Sequence, residues 1–231
     1  MRDDQASGLR RLFASRERRP LSVGGVDATP VVWDLAKTLA GLGSRVLIVD
    51  RTRGKLAALV NARVRFELAH VVAGDRGLAD VLIDGPEGVA ILPAARGLDE
   101  LALHATPHDG GWQAQLSAWL MKSQREFDVW LINGLPPAGG DTDVMLAIAP
   151  TAEGITCAYA QIKALAHCRG QRSFGIVIHR ADSEAAAQAT FASVASTARR
   201  FLRAKLDYRG AIPADSPGRQ QMLVRLAQSI A

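Results

Sequence analysis

The 231-residue chain is 48% hydrophobic but only 5% aromatic, which suits one sizeable α/β domain with a core of Ala, Val, Leu and Ile. No run approaches the ~18 consecutive apolar residues of a membrane span, and the first residues lack the apolar centre of a secretory signal, so membrane-embedded and secreted classes are set aside. The net charge of +5 gathers in two basic runs, Arg51 to Arg65 and Arg199 to Lys205; without interleaved aromatics these read as solvated surface rather than a nucleic-acid platform.

Residues 1–19 read as a leading module and residues 20–231 as a single α/β domain. Leu9, Leu12 and Phe13 fall on one helical face, but so short a helix does not hold its structure alone in water. Residues 16–20 are a charged linker closed by proline. Residues 21–50 then read as a strand, a glycine loop, a helix, a glycine turn and a buried strand, which is the opening βαβ unit of a nucleotide-binding fold. Such loops hold phosphate on backbone N–H groups at a helix N-terminus. Thr29 is the expected N-cap, with Pro30 at the first helical position. Val31, Val32, Leu35, Leu39 and Leu42 form the expected apolar stripe, and Gly41 and Gly43 the stop.

Further along, residues 67–74 and 77–83 read as short helices and 88–94 as the next strand. His70, among apolar neighbours, is expected in or near the core. Trp112, Leu116, Trp119 and Leu120 recur at helical spacing over 110–126 and read as packing. Strands are expected at 127–133, 144–149 and 174–179, and helices at 154–167, at about 183–204 and at 220–231. Cys157 and Cys168 share one of these helices at a spacing that suits no metal, as reduced thiols of a cytoplasmic protein. The last helix carries only Arg225 as a cation, too little for a strong interfacial anchor, and is expected to pack on the domain with membrane contact weak or absent.

Taken together, these stretches resemble the MinD/ParA group of deviant P-loop ATPases, and within it the flagellar-number regulators (FlhG/FleN). The resemblance covers nearly the whole chain. It is carried by Asp4-Gln5-Ala6-Ser7-Gly8-Leu9-Arg10-Arg11-Leu12, by residues 68–101, by the run IAPTAEGITCAYAQIKAL and by LDYRGAIPAD. It implies a P-loop NTPase-like three-layer α/β sandwich with a mostly parallel central sheet flanked by helices. It also implies that Asp4, Gln5, Leu9, Arg10, Leu12 and Phe13 engage an FlhF-type signal-recognition GTPase. Gln5 would help orient the attacking water at the partner's active site, Leu9, Leu12 and Phe13 would anchor in a groove, and Arg10 would sit at its rim.

The family's nucleotide positions fall on Gly24, Gly25, Ala28, Thr29, Asp50, Asn133 and His179, and several depart from its pattern. The family loop K-G-G-V-G-K-T has Val23 and Ala28 at its lysines and Asp27 at a glycine. Thr52 stands at the second carboxylate of D-x-D, Asn133 at the Walker B aspartate, His179 at the asparagine that reads the base, and Cys157 at a further aspartate. Two lost lysine contacts forfeit about 3–6 kcal/mol, or roughly two to four powers of ten in affinity. The expectation is therefore a pseudo-ATPase without ATP or magnesium, monomeric because the nucleotide-driven dimer would not form. It would be cytoplasmic, with recruitment to the flagellar base at the inner membrane. The alternatives are an active ATPase that uses Arg51 or Arg53 for phosphate, and a ParA-like protein binding DNA without sequence preference.

Overall fold

The computed structural model describes residues 19–105, 111–214 and 217–230. Its strands are β1 (Leu21–Gly24), β2 (Val46–Asp50), β3 (Ile83–Asp84), β4 (Val89–Pro93), β5 (Val129–Asn133), β6 (Asp143–Ile148), β7 (Ser173–His179) and β8 (Lys205–Ile212). They form one sheet in the order β3-β4-β2-β5-β1-β6-β7-β8. Every pairing is parallel except β3 with β4. The helices are α1 (Ala28–Gly41), α2 (Lys55–Leu59), α3 (Leu68–Val72), α4 (Leu78–Val81), α5 (Gly97–His104), α6 (Gly111–Lys122), α7 (Ala152–Cys168), α8 (Glu184–Leu202) and α9 (Pro217–Gln228).

The inner strands β2, β4 and β5 are apolar nearly end to end because both faces of the sheet are covered there. Side chains alternate between the faces. Val46 and Ile48 of β2 join Val31, Leu35 and Leu39 of α1 and Leu223 and Leu226 of α9 in one core cluster. Leu47 and Val49 point the other way, toward Leu98, Trp112 and Leu116. On that second face Ile162 and Leu165 of α7 and Val194 and Ala198 of α8 cover β6 and β7. This is the expected three-layer α/β sandwich.

The order of the strands positions the site. From β1 the chain runs through α1 to β2 on one side, whereas β6, β7 and β8 extend the sheet on the other. In open α/β sheets ligands bind at the carboxyl ends of the strands, where the order reverses in this way. Register brings three of the sequence-singled positions abreast there. Val23 pairs with Asn133, and Asn133 pairs on its other side with Asp50.

Several local expectations are corrected. Thr29 is not the N-cap of α1: the helix begins at Ala28, and the cap is Asp27 in the left-handed region (φ 55°) without a side-chain cap bond. Pro30 is thus the third helical residue, still inside the first turn where its missing N–H has no intrahelical partner to lose. Leu42 is not part of the buried stripe but lies past the end of α1 and is 48% exposed. The short antiparallel edge strand β3 and the strand β8 had no separate signal. Helices α7 and α8 start where side chains cap them: Thr151 Oγ1 accepts from Gly154 N and Ser183 Oγ from Ala186 N, both at 3.1 Å. The terminal helix packs as expected, with Leu223, Leu226 and Ala227 at most 3% exposed.

Candidate functional site

The loop between β1 and α1 keeps its glycine geometry. Gly25 has φ 128°, and a Cβ there would lie 2.0 Å from the Ala147 carbonyl oxygen. A Cβ on Gly24 would lie 2.8 Å from Leu135 Cδ2 and 2.9 Å from Gln161 Oε1. At Gly25 the clash is with backbone and no side chain fits, while at Gly24 neighbouring side chains would have to shift, so the close turn onto the head of α1 is built into the sequence. The cationic part of such a loop is missing. Val23 is fully buried among core residues and Ala28 is 5% exposed, so both former lysine positions now serve packing.

In front of the loop is a cavity of about 250 Å³, lined among others by Gly25, Asp27, Ala28, Thr29, Thr52, Asn133 and Lys55. Asn133, which lines it, is 1% exposed, and its hydrogen-bonded neighbour Asp50 is 3% exposed. One oxygen of Asp50, Oδ1, accepts three hydrogen bonds: from Thr52 N at 3.1 Å, Thr52 Oγ1 at 2.6 Å and Asn133 Nδ2 at 2.9 Å. Thr29 Oγ1 lies 3.4 Å from the same amide nitrogen. The departures at Thr52 and Asn133 thus have a joint structural consequence. They give the carboxylate neutral partners where the family pattern has further carboxylates.

This donor set offers magnesium triphosphate fewer charged partners than the family pattern does. Magnesium takes carboxylate, water and substrate phosphate oxygens, and the Asp50 carboxylate behind Asn133 already has one oxygen taken up by three donors. Among the described residues no group of three or more His, Cys, Asp or Glu side chains could hold a metal ion. Asp27 adds a carboxylate to the mouth of the cavity, its Oδ2 3.9 Å from Arg180 Nη1.

His179 ends β7 at 3% exposure, and its Nε2 has no hydrogen-bond partner. Burial pushes its pKa below the ordinary histidine value, and the nearby Arg180 and Arg219 charges act the same way, opposed by the Val26 carbonyl and Asp27. The ring is therefore neutral at physiological pH. On α7, Cys157 is half-buried and unpaired, and burial, followed by the charge of Glu153, raises its thiol pKa and keeps it protonated.

Neither arginine expected to replace the lysines reaches the cavity. Arg51 donates to the Leu135 carbonyl and pairs with Asp99 at 2.5 Å, with its side chain 17% exposed. Arg53 is exposed, in the left-handed region at φ 53°. The cation that does line the cavity is Lys55, the first residue of α2 behind the turn at Gly54 (φ 90°). Sequence reading included it in a basic run without singling it out. The glycine directly before it, which sets the turn that brings it back toward β1, was the available signal. His70 is half-buried and structural, its Nδ1 accepting from Glu67 N at 3.2 Å at the start of α3. The expected partner-binding residues Asp4, Gln5, Leu9, Arg10, Leu12 and Phe13 lie outside the described residues. No helix among the described residues is long and apolar enough to cross a membrane.

No family model matches the chain. Antiactivator FleN of Pseudomonas aeruginosa is 32% identical over 209 residues, covering 85% of this chain and 72% of that protein. The fold is similar to MinD cell division protein of Aquifex aeolicus, with TM-score 0.65 and 15% identity over 92% of this chain and 96% of that one. It is also similar to cobyrinic acid a,c-diamide synthase of Mycobacterium smegmatis, solved with bound ADP and magnesium, with TM-score 0.64 and 22% identity over 92% and 93% of the two chains. Likeness to these solved structures speaks for the fold, and the FleN match for the branch within it. The chain belongs to the FleN-like branch of the MinD/ParA family of deviant P-loop ATPases, with nucleotide motifs that depart from the family's pattern.

Proposed function

We propose that this chain is a regulator of flagellar assembly that works without ATP hydrolysis, its domain serving as a scaffold and its leading segment engaging an FlhF-type GTPase. The observation that carries the first half is the Asp50 carboxylate, whose Oδ1 is taken up by Thr52 and Asn133. A carboxylate so occupied, beside two former lysine positions filled by Val23 and Ala28, leaves little to hold magnesium or a triphosphate. The second half rests on the match of residues 4–12 to the family's partner motif. In this reading Gln5 acts in trans at the GTPase site, and the scaffold remains monomeric because no nucleotide bridges two copies.

Two measurements test it. Equilibrium binding of labelled ATP with magnesium is expected to show no micromolar association, and a micromolar dissociation constant overturns the pseudo-ATPase half. The GTPase rate of the cognate FlhF-type protein is expected to rise with the full chain and not with its Gln5→Ala variant. Equal rates for the two remove the proposed role of Gln5.

Lys55 favours a second reading, an ATPase whose phosphate site has moved to α2. It predicts measurable ATP binding that Lys55→Ala abolishes, whereas an Arg51 variant would leave it intact.

A further inference from the structure

Phe201, near the end of α8, is 64% exposed, although Ala198 and Leu202 beside it are buried in the core. It sits inside the second basic run. Sequence pattern alone gives that run to solvated surface for want of aromatics, yet an aromatic stands out into solvent in its middle. The Arg200 guanidinium lies over the Phe201 ring, 5.1 Å from its centroid. Arg199 and Arg203, both exposed, are about one helical turn apart on either side of the pair. Arg203 turns the chain out of α8 in the left-handed region at φ 52°. Lys205 then opens β8, and its N–H donates to the Arg172 carbonyl at 2.6 Å, which sets a further exposed arginine beside the cluster.

The charge here is almost unopposed. No Asp or Glu occurs from residue 185 to residue 206. Among the described residues the carboxylate that pairs with this cluster is Asp207, 3.2 Å from Lys205, and none pairs with Arg199, Arg200 or Arg203. Arg172 is held by a hydrogen bond from Nη1 to the Ala166 carbonyl at 2.7 Å, not by an acid. Cations in a last helical turn complement the helix dipole, which accounts for Arg199 and Arg200. The dipole gives no reason for a phenyl ring held in water among them. Arginine with an exposed aromatic is the composition of interface centres.

We propose that the end of α8 and the start of β8 form a docking surface for an acidic segment of a partner protein. Its carboxylates meet Arg199, Arg200 and Arg203 in charge-assisted bonds, and an apolar side chain on it covers Phe201. Two other polyanions fit less well. Nucleic-acid platforms stack bases on successive aromatic faces, and here one face of a single ring is taken by Arg200. A lipid surface needs a continuous apolar face, and the residues flanking Phe201 are either charged or buried in the core. The surface lies at the amino ends of β7 and β8, whereas the cavity in front of the glycine loop lies at the carboxyl ends of the parallel strands. The proposal holds whether or not that cavity takes a nucleotide.

The test is fluorescence anisotropy of two labelled peptides of equal length and charge, Glu-Glu-Leu repeats and Glu-Glu-Ser repeats, titrated with the full-length protein. The leucine peptide is expected to bind saturably with a Kd of ~0.1 mM or tighter. The serine peptide should bind roughly tenfold more weakly, for want of an apolar contact. Phe201→Ser is expected to bring the leucine peptide down to the level of the serine peptide, and Arg199→Glu with Arg203→Glu to abolish binding of both. These residues are exposed, where substitutions rarely disturb folding. Arg53→Glu, in the other basic run, should change nothing. Equal affinity for the two peptides overturns the proposal, as does binding of neither. Binding that survives the α8 variants but is lost in Arg53→Glu overturns it by assigning the acid to the other run. Duplex DNA or phosphatidylserine vesicles bound more tightly than the leucine peptide, and released by the α8 variants, overturn it in favour of another polyanion.

Discussion

Asn133 Nδ2 donates to Asp50 Oδ1 at 2.9 Å across the β2–β5 pairing, whose register sets the two residues directly beside one another. An aspartate at position 133 would face Asp50 at that distance with no donor between them. Asn133→Asp is therefore expected to cost about 2–4 kcal/mol at neutral pH, the sum of a lost hydrogen bond and a buried like-charge contact. The loss should shrink as pH falls, because the folded variant gains a proton that its two carboxyls share. Urea unfolding at several pH values checks both the size and the sign. A variant as stable as the parent at neutral pH would mean that the Asp50 network is not fixed by Asn133.

The glycine loop makes a sharper packing prediction. Gly25→Ala puts a methyl 2.0 Å from a backbone oxygen at φ 128°, where neither partner can yield cheaply. It is expected to lower stability by about 3 kcal/mol or more. Gly43→Ala is the comparison, since φ is 93° there but nothing lies within 4 Å. It should cost only the backbone strain, about 1–2 kcal/mol. Equal losses in chemical denaturation would show that the loop relaxes and is not held by Ala147.

What could be read from the chain in advance was mostly local. The period of Val31, Val32, Leu35 and Leu39 marked α1, and the apolar run at 45–50 marked a strand buried on both faces. The N-cap of α1 differs from the expected Thr29 because Asp27 enters the left-handed region, a conformation that a glycine signals and an aspartate does not. Periodicity places Leu42 in the stripe because it cannot show where a helix runs past its cover. Strand β3 has two residues, too few for any alternation to register. The losses at Val23, Ala28, Thr52 and Asn133 were visible singly, but their combination around Asp50 depends on register across β1, β5 and β2. Lys55 meets Asn133 and Thr29 at the cavity from a distant part of the chain, which no local pattern shows.

His179 gives a pH dependence with a definite sign. Its folded-state pKa lies below the ordinary histidine value of 6.5. Between those two values the unfolded chain binds more protons than the folded one, so stability falls on acidification through that window and is fully present above it. The slope attributable to one such group cannot exceed about 1.4 kcal/mol per pH unit. His179→Asn, which places a non-titrating polar group at the end of β7, should flatten the stability profile just below pH 6.5. If the parent and variant profiles stay parallel there, the imidazole is not held neutral by its burial.

The terminal helix offers the last test, because two accounts of it predict opposite readouts. A membrane-targeting helix would keep its apolar face for lipid, so shortening a side chain there would weaken vesicle binding and leave the domain's stability alone. In this structure that face is spent inside. Leu223 and Leu226 are 2% and 3% exposed in the cluster that contains Val31, Leu35 and Leu39 of α1. Arg219 pairs with Asp34 of the same helix at 2.5 Å. Leu226→Ala is then a core truncation and is expected to cost about 2–4 kcal/mol in urea unfolding. Sedimentation with anionic vesicles should be equally low for parent and variant, since undocking the helix would sacrifice that burial and the ion pair together. A variant with unchanged stability and reduced vesicle binding would reverse the assignment of α9.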